Sequence, residues 1–172
     1  SFWKFSTFAG ITNSFGSIND VYNGFILLSA KNLSSRNTDI QQTRSNFVGS
    51  RLEYRNPLNN IFFNVSYNFN DRTNNVTFLN ELDEASQQFI IKGYNLENNS
   101  KTNSARTELG KYFPKFKTNA SVGYNYSLNN YQQLPANSTP TESSFIDVEG
   151  VNQGVSVKFN NNYFSWLSVD YN

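Results

Sequence analysis

Asn56-Pro57-Leu58-Asn59-Asn60, followed by Ile61-Phe62-Phe63-Asn64-Val65-Ser66-Tyr67-Asn68-Phe69-Asn70, is the stretch whose periodicity decides the fold. A tight polar turn feeds a run whose odd positions, Ile61, Phe63, Val65, Tyr67 and Phe69, are apolar or aromatic. Asn64, Ser66, Asn68 and Asn70 fill the even positions after Phe62. Apolar residues two apart share one face of a strand, whereas a helix needs spacings of three and four. Soluble sandwiches and membrane barrels both use such strands, so the choice between them depends on how the pattern recurs.

It recurs twice. Phe63-Asn64-Val65-Ser66-Tyr67-Asn68 matches Ala120-Ser121-Val122-Gly123-Tyr124-Asn125 and Leu167-Ser168-Val169-Asp170-Tyr171-Asn172. Each copy follows a short turn, at 56–60, 113–117 and 160–165. A spacing of about fifty residues leaves room for one strand out, a loop and one strand back, so the repeat unit is a hairpin with one short end and one long end.

Composition bounds what such hairpins can build. Of the 172 residues, 37% are hydrophobic, 16% are aromatic and 29 are asparagine, and the mean hydropathy is −0.58. Disordered chains are poor in aromatics, while a polar chain with Phe and Tyr at alternating positions suits a sheet with one apolar and one wet face. The net charge of +1 gives no bulk attraction for nucleic acid. No apolar run reaches the eighteen or so residues of a membrane helix. With no histidine and no cysteine, the commonest general base, nucleophile and metal ligands are missing. No Gly-rich phosphate loop or paired catalytic carboxylates compensate, so neither an enzyme nor a cofactor is expected. Glu81, Asp83 and Glu84 lack the spacing of a calcium loop and read as a solvated face. The Asn-x-Ser/Thr matches are those chance produces in an asparagine-rich chain.

In chain order the alternation marks strands at 2–13, 46–55, 61–70, 101–110, 118–128 and 151–160, with a seventh opening at Leu167. Between them lie polar excursions at 14–43, 71–99 and 129–144. The island Phe25-Ile26-Leu27-Leu28 in the first excursion extends the first strand or forms a small hairpin, and periodicity does not choose. About seven main strands, short turns at one end and loops of roughly twenty to thirty residues at the other are the signature of an antiparallel up-and-down transmembrane β-barrel, with short periplasmic turns and long extracellular loops. Pro57, Pro114 and Asn161 are then expected at the periplasmic end, and Asn23, Glu84 and Pro135 outside the cell. Seven strands leave two open edges, which a membrane barrel does not permit. Residues 1–172 are therefore expected to be part of one outer-membrane barrel domain, cut at both ends and without a plug domain.

Barrel walls assign roles by parity. A lipid-facing charge is costly, so Arg51, Glu53, Arg55, Arg106, Glu108 and Lys158 are expected to face the lumen, where they would form stabilising cross-strand ladders, contact a plug or attract a solute. Trp3, Tyr54, Phe63, Val65, Tyr67, Tyr112, Phe113, Tyr124 and Trp166 are expected on the lipid side, with the rings nearest the turns, Phe116, Tyr163 and Phe164 among them, forming an interfacial girdle.

The run Arg55 to Tyr67, the Lys111-Tyr112-Phe113 end of a down strand and the Trp166-Leu167-Ser168-Val169 start of an up strand resemble TonB-dependent receptor-like outer-membrane proteins of Bacteroidetes-type bacteria. The resemblance covers most of the chain through diffuse hairpin motifs. It implies uptake of a large solute such as a peptide or glycan across the cell outer membrane of a Gram-negative bacterium. It also implies outer-membrane lipid, further barrel strands, a plug of the same protein and a surface lipoprotein as partners. From the residues alone, a soluble all-β adhesin or glycan-binding module and part of a protein-secretion pore stand as alternatives.

Overall fold

The computed structural model describes residues 2–17, 21, 24–29, 32–35, 38–83, 88–135, 140–141, 144–164 and 167–171, with backbone alone for 83, 88, 162–164 and 167–171. The described residues form eleven strands: β1 Trp3–Phe15, β2 Ile26–Ser29, β3 Asn32–Ser35, β4 Gln42–Asn56, β5 Ile61–Asn74, β6 Thr77–Asp83, β7 Gln88–Tyr94, β8 Asn98–Phe113, β9 Thr118–Gln133, β10 Ile146–Phe164 and β11 Leu167–Tyr171. None of the described residues forms a helix long and apolar enough to cross a membrane.

Seven strands form one antiparallel sheet in the order β1-β4-β5-β8-β9-β10-β11. These are the seven that the alternation marks, each joined to the next in sequence apart from the inserted small strands. The sheet does not close: β1 and β11 are its edges. Its strands overrun the apolar alternation at the long-loop end, where β5 reaches Asn74, β8 starts at Asn98 and β9 reaches Gln133. Polar side chains sustain the pairing there. Thr43 Oγ1 donates to Asn74 Oδ1 (2.7 Å), Thr73 Oγ1 to Asn99 Oδ1 (2.8 Å) and Thr102 Oγ1 to Asn129 Oδ1 (3.0 Å). The third excursion accordingly shortens to residues 134–145.

At the opposite end the connections are tight. Asn56 Oδ1 accepts from the backbone N–H groups of Leu58 and Asn59, closing an Asx turn ahead of Asn60, which takes the left-handed conformation at φ 54°. Pro114–Phe116 forms one 3₁₀ turn that ends at Lys117 with φ 47°. Tyr112 N–H donates to the Asn60 carbonyl (2.9 Å), tying the first turn to the end of β8.

The two longer excursions meet in a second sheet, β2-β3-β7-β6. The Phe25–Leu28 island lies in the hairpin of β2 with β3, and β3 then pairs in parallel with β7, Leu33 opposite Ile90. Where the chain passes between this small sheet and the loop end of the large one, Val76, Leu79 and Leu134 are 2%, 6% and 3% exposed and line one pocket. Asparagines stitch the junction. Asn98 Nδ2 donates to Thr77 Oγ1 (2.6 Å), Thr77 Oγ1 to the Leu96 carbonyl (2.9 Å), Asn75 Nδ2 to the Ile40 carbonyl (3.2 Å) and Asp39 N–H to Asn95 Oδ1 (3.0 Å).

Candidate functional site

The register of the seven strands sorts their side chains into two faces. On one, the rows read Trp3, Tyr54, Phe63, Leu109, Val122, Val157; then Phe5, Leu52, Val65, Thr107, Tyr124, Val155. Tyr67 and Tyr126, then Val48, Phe69, Leu128 and Val151, continue the same face. Charges appear only at its limits: Lys111 toward the short turns, and Asp71, Lys101 and Glu149 together in one row toward the loops, with Arg44 and Asp147 beyond. Among the described residues no second layer covers this face. Phe5 is 67% and Val155 72% exposed, and the exposed large apolar residues of the sheet's strands lie here with three exceptions, Phe8, Tyr131 and Ile146.

The amide groups within this apolar field have partners drawn from the same face. Tyr67 Oη donates to Asn103 Oδ1 (2.8 Å) and Tyr124 Oη to Gln153 Oε1 (3.2 Å). Near the short turns, the rings of Trp3 and Tyr54 meet at 4.6 Å between centroids, and Lys111 Nζ stands 5.4 Å from the centroid of Phe113.

The opposite face is polar. It carries Lys4, Arg51, Glu53, Arg55, Arg106, Glu108 and Lys158 among serines, asparagines and glycines. Arg51 Nε and Glu53 Oε1 form an ion pair at 2.8 Å. Three of its rings, Phe8, Phe47 and Phe62, each lie over a glycine directly across the ladder, at Gly49, Gly10 and Gly110. A Cβ at Gly10 would sit 2.6 Å from Phe47 Cζ, so the missing side chain is what lets the ring lie flat on the strand, as aromatic residues do when they shield a cross-strand glycine. Phe8, Arg51, Asn64, Ser66, Asn68, Arg106 and Glu108 enclose an open recess of about 460 Å³. Asn64 Oδ1 in its wall is buried without a hydrogen-bond partner, and the register neighbours of Asn64 are two carboxylates, Glu53 and Glu108, which offer no donor when ionised.

All six residues expected on the wet side, Arg51, Glu53, Arg55, Arg106, Glu108 and Lys158, share this polar face. Of those expected on the apolar side, Trp3, Tyr54, Phe63, Val65, Tyr67, Phe113 and Tyr124 share the apolar face. Tyr112 does not. It is an even-numbered residue of β8 opposite Asn119, in line with Arg106 and Glu108, so closeness to the turn misled where parity decides. Trp166, Asn23 and Glu84 lie outside the described residues, as do the side chains of Tyr163 and Phe164. What the sequence did not disclose is the pairing of the Tyr hydroxyls with Asn103 and Gln153, and the glycine seats of the three phenylalanines, because both follow from register between strands.

In the small sheet, Glu81 is gripped by Lys92 and Tyr94, with Tyr94 Oη to Glu81 Oε1 at 2.7 Å. The Lys92 hydrogen bond, helped by that of Tyr94, holds the Glu81 carboxyl below its usual range. Burial and the Glu81 contact push the Tyr94 phenol up to about 12. Among the described residues no cluster of carboxylates could hold a metal ion.

No protein-family model matches the chain, and no curated protein and no solved structure matches it significantly.

Proposed function

We propose that this chain is a wall segment of an outer-membrane transport barrel, of TonB-dependent receptor-like type, whose apolar face meets lipid and whose polar face lines the path of a large solute. One observation carries it: a broad sheet face that is uncovered and free of charge between Lys111 and Lys101. The ten residue-to-residue steps of β8 from Lys101 to Lys111 span about 33 Å along the strand. At the tilt of roughly 35–45° usual in membrane barrels they rise about 25 Å, the height of the apolar band such barrels carry. A sandwich in water would have to cover this face with a second sheet, and the small sheet docks at the loop end instead. Lipid also accounts for the tyrosine hydroxyls on Asn103 and Gln153, since amides facing hydrocarbon need internal partners.

The loops then face outward. Their asparagine, serine, glutamine and tyrosine side chains supply hydrogen-bond donors and acceptors suited to peptides or glycans, and the small sheet fuses two of the three loops into one surface. The test is topology in the full-length protein on intact cells. Single cysteines replacing Pro135 or Asn95 should react with an impermeant thiol reagent, while Pro57→Cys and Pro114→Cys should react only after the membrane is opened. The reverse pattern would invert the orientation, and equal labelling at both ends would remove the membrane.

A further inference from the structure

We propose that the charged belt of the polar face is an anion-attracting surface, and that the solute passing this wall bears carboxylate or phosphate groups. This rests on the barrel reading above, which makes the polar face a lumen wall. The belt occupies three consecutive register rows: Arg55 with Lys158, then Lys4, Glu53 and Glu108, then Arg51 and Arg106. Five cations stand against two carboxylates, in a chain whose overall net charge is only +1. From there toward the loops the described side chains of this face are uncharged as far as Arg72.

A stabilising charge ladder would alternate signs across neighbouring strands, and this belt does not. Lys4 lies directly opposite Glu53, yet the Glu53 carboxylate turns along its own strand to Arg51. Asn64 separates Glu53 from Glu108, and Ser66 separates Arg51 from Arg106. Among the described residues Arg51–Glu53 is the ion pair within the belt, which leaves a surplus of positive charge there. A low-dielectric wall focuses such a field into the cavity it encloses, and rings of Arg and Lys are how pores favour anions. The recess beside the belt adds geometry. Both arginines reach it from either side of Ser66, whose hydroxyl, with the Asn68 amide, offers further donors to an oxyanion.

The experiment measures the local potential at Ser66 in the full-length protein in lipid nanodiscs. A single Ser66→Cys is reacted with two thiol reagents of equal size, the anionic methanethiosulfonate ethylsulfonate and the cationic methanethiosulfonate ethyltrimethylammonium, each rate divided by that for a free thiol. The anionic reagent should be favoured by about tenfold at low ionic strength. That preference should shrink at roughly 1 M salt and vanish with Arg51→Gln and Arg106→Gln together. Equal normalised rates at Ser66→Cys, or a cation preference, overturn the proposal while leaving the wall's facing intact. Reaction at Val65→Cys with none at Ser66→Cys overturns the barrel reading and the proposal together. No reaction at either position also overturns the proposal, because a solute-facing wall must be reachable.

Discussion

Leu79 and Val155 both sit in β-strands, yet Leu79 is 6% exposed in the four-stranded sheet and Val155 is 72% exposed in the seven-stranded one. The two regions solve the same problem by different rules. The small sheet hides Leu79, and Val76 and Leu134 are buried with it at one pocket, as apolar side chains in water must be. The large sheet leaves its apolar rows open over a broad face and ties up the amides that stand among them. Apolar area removed from water holds the first together; hydrogen-bonded ladders hold the second, with, in the barrel we propose, a surrounding apolar medium. A chain of low mean hydropathy can therefore carry a large apolar surface, because every second residue of each long strand lies on the wet side.

Four substitutions and titrations test that contrast. The largest is Leu79→Ala, which should cost about 2–5 kcal/mol, as buried leucines do. The loss should show as faster amide exchange in β6 and β7 with β8 to β10 unchanged; spread into the large sheet would mean that the two regions share one core. Next, Val65→Arg should destabilise the full-length protein in lipid vesicles by about 2–4 kcal/mol, against a smaller loss of at most about 1 kcal/mol for Ser66→Arg on the polar side, where the new charge stands between Arg51 and Arg106. Similar losses in denaturant titrations would mean that both faces are buried. Smaller again, Tyr67→Phe should cost about 1 kcal/mol in lipid by leaving Asn103 Oδ1 without its donor. No measurable change on that substitution would place Asn103 at water.

The smallest effect is a pH dependence confined to the small sheet. The lowered Glu81 carboxyl contributes stability above its ordinary value of 4.5, lost as pH falls through its lower folded value. The raised Tyr94 phenol contributes below its ordinary value of 10.0, lost as pH rises toward about 12. Absorbance titration should reveal a tyrosine ionising near 12, and Glu81→Gln should bring it down toward the ordinary value while removing the acid-side loss. An unchanged late tyrosine in Glu81→Gln would leave burial as the sole cause.

Most of the large sheet was legible because period two is a local signal: the alternation around Val65, Tyr124 and Arg106 assigned strands and faces without any knowledge of neighbours. Tyr112 shows the limit of reading by location, since its parity already aligned it with Arg106 and Glu108. The strand extensions to Asn74 and Gln133 escaped because threonine–asparagine pairs replace apolar alternation there. The small sheet escaped for a different reason. Its central contact is the parallel pairing of β3 with β7, between segments far apart in sequence whose short apolar runs fit several structures equally well. Phe8, Phe47 and Phe62 look like errors in the pattern until register sets each of them over a glycine.

A membrane barrel presents its two faces to different media. Spin labels at Val65→Cys and, separately, Ser66→Cys in the full-length protein in lipid bilayers report this through relaxation by dissolved oxygen, which concentrates in hydrocarbon, and by a water-soluble nickel chelate. The label at 65 should respond to oxygen and hardly to nickel, and the label at 66 the reverse. Nickel accessibility at 65 equal to or above that at 66 would contradict the claim that the open apolar face of this sheet lies in a membrane.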